Sequence, residues 1–177
     1  MKTLIALAAV AAVSAPVAAF AADGNVAING SVAAVCKFSL DNATISLGEM
    51  ADGDGFLNAA VVNNKTATLT GWCNGVSSTM AVTATELTRS GAAVNAAGFT
   101  SRVDYTATAA TQSASLGAAA SANDTTVTAG AGAAANLGLF ADNVTVTLTN
   151  AAPGAAGARL VAGSYTGNVK VTLTPAL

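Results

Sequence analysis

The chain has 177 residues, a formal net charge of −2, 53% hydrophobic and only 9% charged side chains, and no histidine. That length suits one domain, the charge leaves no basic surplus for nucleic acid, and the lack of histidine excludes Ser-His-Asp catalysis and imidazole metal ligation. High hydrophobicity with low net charge is the reverse of a disordered composition, so the expectation is a folded domain with small side chains in its core.

The first 21 residues, MKTLIALAAVAAVSAPVAAFA, join Lys2 to an apolar run from Leu4 to Val13 and a small-residue ending at Ala19 and Ala21. This is the form of a secretory signal peptide. Ser14 and Pro16 interrupt the run well short of the ~20 apolar residues that a bilayer span requires. Cleavage after Ala21 leaves one domain at residues 22–177; losing Lys2 from seven basic residues, against nine acids, moves the formal charge to −3.

From there, period-two alternation recurs and sustained helical periodicity does not. Val26, Ile28 and Val32 alternate around Gly30, and Ile45 and Leu47 alternate in ATISLG. Ala67, Leu69, Gly71 and Cys73 share one face of TATLTGWC, with Thr on the other. Met80, Val82 and Ala84 follow, then Val103, Tyr105 and Ala107, then Val144, Val146 and Leu148. A last strand carries Tyr165, Val169, Val171 and Leu173. Thr and Val favour strands because a branched β-carbon fits a pleated surface. Turn chemistry separates these runs at Asp52 to Gly55, Asn63, Cys73 to Gly75, Ser90 and Pro153.

The pattern predicts an all-β fold, an antiparallel β-sandwich of roughly seven to nine short strands, each sheet burying one face. The stretch from Thr111 to Leu139 is Ala-rich and could be a short helix or a long loop. Its glycines disfavour a helix, and the reading preferred is loops around a short strand at Thr125 to Thr128. A small outer-membrane barrel also alternates apolar and polar residues. It needs longer strands and aromatic girdles, and the whole chain has five Phe, two Tyr and one Trp.

A core of Ala and Val gains less per residue than one of Leu and Phe, so a further stabiliser is expected. Cys36 and Cys73 supply one, since an exported chain reaches a compartment where disulfides persist. The alternative is two free thiols. Without histidine they lack the partners of an ordinary zinc site or a Cys-His nucleophile.

Residues suited to reactive chemistry are few, with nine acids and two cysteines accounting for most of them. Glu49, Asp52 and Asp54 form the densest acidic group and are a candidate calcium site, although the spacing departs from an EF-hand loop and Asp-Gly pairs are ordinary turn residues. No other metal site, cofactor site or nucleophile motif is visible, and no enzymatic activity is expected. Asn-x-Thr triplets at Asn42, Asn64, Asn123 and Asn143 follow from a composition rich in both residues, and these side chains are expected to be bare. Trp72, beside Cys73, is expected to cover the disulfide or a sheet edge rather than serve as a ligand platform.

Three stretches carry a resemblance: INGSVAAVCKF after the leader, TISLGEM followed by TATLTGWCNG, and AGSYTGNVKVTLTP at the end. Together they resemble subunits of chaperone-usher pili, and the ending is most similar to the spore coat protein U and Csu-type pilin branch. That resemblance implies an immunoglobulin-like sandwich that lacks its last strand and receives the N-terminal extension of a neighbouring subunit. The donor would be Ala22 to about Gly30, with Val26 and Ile28 entering pockets and Gly30 allowing close passage. Tyr165, Val169, Val171 and Leu173 would border the acceptor groove. The implied partners are other pilin-like subunits, a periplasmic chaperone and an outer-membrane usher, with the periplasm as transit and the cell surface or exterior as destination. A self-complete exported sandwich acting as a binding protein, its first strand folded into its own sheet, is the rival reading, and a secreted hydrolase using paired acids is a third.

Overall fold

The computed structural model describes residues 23–92, 94, 96–126 and 131–177. The leader at 1–21, its cleavage point, Ala22, and Val127 and Thr128 of the expected short strand lie outside the described residues. The chain divides into two compact units, Met1–Ser31 and Val32–Leu177. Of the first, the stretch 23–31 contains no helix or strand, and Val26 and Ile28 are 82% and 92% exposed. The alternation around Gly30 is therefore not a strand within this molecule; Val32, in the second unit, is likewise exposed and outside any strand. A period-two pattern specifies what a strand would bury, and without a partner ladder it forms none.

The second unit is almost entirely β. In chain order it comprises β1 (Cys36–Leu40), a single helical turn α1 (Ala59–Val62), β2 (Thr66–Cys73), β3 (Thr79–Ala84), β4 (Leu87–Arg89) and β5 (Phe99–Thr100). There follow β6 (Arg102–Ser113), β7 (Gly117–Asp124), β8 (Ala135–Asn136), β9 (Phe140–Pro153), β10 (Arg159–Leu160), β11 (Tyr165–Thr166) and β12 (Val169–Thr174). The larger sheet has the order β1-β2-β9-β6-β4-β11, with β7 added to β6; the smaller is β12-β3-β8. All these pairs are antiparallel, and the one departure is a short parallel ladder between β5 and β10.

The alternation read from the sequence is visible in the burial. Val103, Tyr105, Ala107 and Ala109 of β6 and Val144, Val146 and Leu148 of β9 all face inward. Met80, Val82 and Val171 of the smaller sheet meet them in one apolar core. The Thr faces turn outward, the reverse of a barrel whose apolar side would meet lipid. Among the described residues no helix is long and apolar enough to cross a membrane.

On one side the two sheets are joined. The Val82 and Ala84 amides of β3 donate to Ser121 Oγ at 3.1 Å and Asn123 Oδ1 at 2.9 Å, so side chains of β7 satisfy the β3 edge where a neighbouring backbone would otherwise do so. This corrects the loop reading of 111–139. Gly117–Asp124 is a strand paired along its length with β6, and Thr125 and Thr126 form the turn after it. Alanine is a poor strand former, yet here pairing with β6 overrides propensity, and the inward positions Ala119 and Ser121 are small enough to pack under β3. Sequence patterning also misses α1, whose one turn serves to bury Val62 completely.

Cys36 and Cys73 are bonded and stand directly opposite each other in the β1–β2 ladder. Trp72 belongs to the outward face of β2, opposite to the face of Cys73, and is 38% exposed between Lys37 and Ala141. It therefore does not cover the disulfide.

Candidate functional site

The side of the sandwich opposite the β7–β3 junction is open. β12 pairs with β3 along one edge, and among the described residues no strand pairs with the other. Asn168 accepts from the Thr85 amide at 2.9 Å. In an antiparallel ladder this places the bonded pairs at Asn168, Lys170, Thr172 and Thr174. The amides and carbonyls of Val169, Val171 and Leu173 consequently point away from β3. These are the residues whose side chains turn toward the core.

The facing lip is the chain that leaves β1. Residues 41–49 form no strand and make no backbone-to-backbone hydrogen bond with a described residue, while Ile45 and Leu47 pack against the core from this unpaired stretch. The expected strand at Ile45 and Leu47 thus has the burial of a strand without a partner. At the disulfide end the lips close up: a Cβ on Gly71 would lie 2.9 Å from Lys37 O and 3.3 Å from Leu173 Cδ1. Beyond that end they diverge into a groove.

Two adjoining hollows make up the groove. The first, about 280 Å³, lies between Ala43–Leu47 and Gly167–Val169, over a floor that includes Leu69, Tyr105, Val146 and Leu148. The second, about 750 Å³, continues between Thr44–Ala51 and Leu160–Gly167. Thr44, Ile45, Leu47, Leu87 and Gly167 line both, so they form one trough. Of the four residues expected to border an acceptor groove, Tyr165 and Val169 line it; Val171 and Leu173 lie beyond its narrow end.

The trough is uncharged apart from Glu49. Tyr105 donates its hydroxyl to Thr85 O at 2.7 Å, and Tyr165 donates to Val161 O at 2.8 Å. Burial, with Glu86 adding repulsion, pushes the Tyr105 phenol up to about 12, and burial also raises that of Tyr165. Both are therefore neutral at physiological pH. For Tyr105 the folded chain holds its proton above the ordinary value of 10.0, so this contribution to stability is complete below pH 10 and is lost as pH rises through about 12. Tyr105→Phe should flatten the alkaline limb of a melting-temperature profile between those values. An unchanged alkaline slope would show that another group carries the loss.

Glu49, Asp52 and Asp54 do not come together as a cation site. Asp52 Oδ1 accepts from the amides of Asp54 and Phe56 at 3.0 and 2.8 Å, and Glu49 Oε1 accepts from the Ala51 amide at 3.0 Å. These carboxylates cap their own turn, and among the described residues no three acidic or thiol groups are placed to hold a metal ion.

No family model, curated protein or solved structure matches the chain. The geometry of the trough therefore stands as the argument for function.

Proposed function

We propose that the chain is a structural subunit of a bacterial surface fimbria, assembled by donor-strand exchange after export through the periplasm, with a chaperone covering the trough until an usher brings the next subunit. One observation carries this reading: a sandwich with two facing unpaired lips over an apolar floor. Unpaired strand edges beside exposed core are a standing invitation to strand addition. The occupant is the N-terminal segment of a second copy, with Val26 and Ile28 as its apolar side chains.

Reach favours a second copy over self-completion. Ala33 to Leu40 runs beside Asn74 and β2, with a register shift between Phe38 and Leu40, and the trough begins only at Ala43. At ~3.3 Å per residue, the seven residues from Ala33 back to Val26 would, after reversing direction, bring Val26 level with Leu40 at most. Its own trough lies beyond.

The test is the size of the protein recovered from the surface of its native cells, run on a gel with and without boiling in detergent. A ladder that collapses to one subunit-size band only on boiling is the expected result. A single subunit-size band under both conditions would overturn the polymer reading.

A further inference from the structure

The residues that join the N-terminal segment to the sandwich are held in an unusual way. Past the end of β2, the Asn74 amide donates to Val35 O at 3.1 Å, continuing the β1–β2 ladder by one step. The Asn74 side chain then extends that ladder on its own: Oδ1 accepts from the Val35 amide at 2.6 Å, and Nδ2 donates to Ala33 O at 3.1 Å. One carboxamide thus adds two hydrogen bonds beyond the ladder and ties Ala33–Val35 to the end of β2. The Cys36–Cys73 bond fixes the adjoining position of both strands.

We propose that Asn74 is a positioning residue that stiffens the joint between successive subunits of the polymer. This rests on the donor-strand reading. If residues 22–30 lie in the trough of one copy and Ala33–Val35 are clamped to the body of the next, only Ser31 and Val32 remain between the two. Neither makes a hydrogen bond to a described residue. A free joint of two residues has few backbone torsions; losing the carboxamide, with the Asn74 amide still bonded to Val35 O, frees Ala33 and Ala34 and adds four more. Asn74 therefore governs how much two neighbouring copies can swing, without touching either the trough or the donor side chains.

The experiment measures persistence length from electron micrographs of fibres made by wild type, by Asn74→Ala, and by a variant with Gly-Ser inserted between Ser31 and Val32. Asn74→Ala should shorten the persistence length by about two-fold or more, as should the insertion, since both lengthen the flexible connection. The insertion leaves the folded body intact, so it reports even where Asn74→Ala accumulates poorly. Wild-type stiffness in Asn74→Ala fibres, or in the insertion variant where Asn74→Ala yields none, overturns the joint while leaving the donor reading standing. Absence of fibres from wild type itself overturns the donor reading, and the joint with it.

Discussion

Removing Ala22–Gly30 should abolish polymerisation and leave the sandwich folded. The described residues of that stretch contain no helix or strand, and Val26 and Ile28 are almost wholly exposed. Their loss should therefore change the stability of the subunit by no more than about 0.5 kcal/mol, the ordinary range for surface changes. The effect on assembly should be complete, because the trough of every neighbour is left without an occupant. Val26→Asp with Ile28→Asp should reproduce it, since burying two carboxylates over Leu69, Val146 and Leu148 carries a heavy desolvation cost. The boiled and unboiled gel reads the result. A normal ladder from the deletion would mean that some other segment joins the copies.

Replacing both cysteines with alanine should be the most damaging change to the subunit itself. The bond closes a loop with a sequence separation of 37 residues. On the chain-entropy model that contributes roughly 3.8 kcal/mol, a large part of the ~5–15 kcal/mol of a typical domain. The loss falls on β1, the strand at the edge of the larger sheet, whose continuation forms one lip of the trough. Urea unfolding of Cys36→Ala/Cys73→Ala should show a lower midpoint, together with a chain more readily cleaved by protease between Val35 and Glu49. An unchanged midpoint would assign the stability of this edge to packing of Phe38, Ile45 and Leu47 alone.

The strands that carry the core were legible because their chemistry is local. β2, β3, β6, β9 and β12 each set Val, Leu, Met or Tyr against Thr at period two, and burial follows that alternation. β7 was not legible, since GAAASAND has neither a branched residue nor a large apolar one, and only its neighbours β6 and β3 make it a strand. The trough was half legible. Tyr165 and Val169 stood out by alternation, and so did Ile45 and Leu47, but nothing in TISLG says that the second pair lacks a partner. An absent strand leaves no residues to read. Asn74 carried less signal still: in the sequence it is one more turn residue after a cysteine, and its two hydrogen bonds to Ala33 and Val35 arise only once β1 and β2 are in register.

The central claim is that the trough is an acceptor for the N-terminal segment of another copy. The most direct measurement is hydrogen exchange on the subunit lacking Ala22–Gly30, with and without a synthetic peptide spanning residues 22–31. The account predicts that the peptide slows exchange at the amide of Val169 and along residues 43–49, whose backbone groups have no partner among the described residues. Slowing confined to other strands, or none at a saturating peptide concentration, would contradict it.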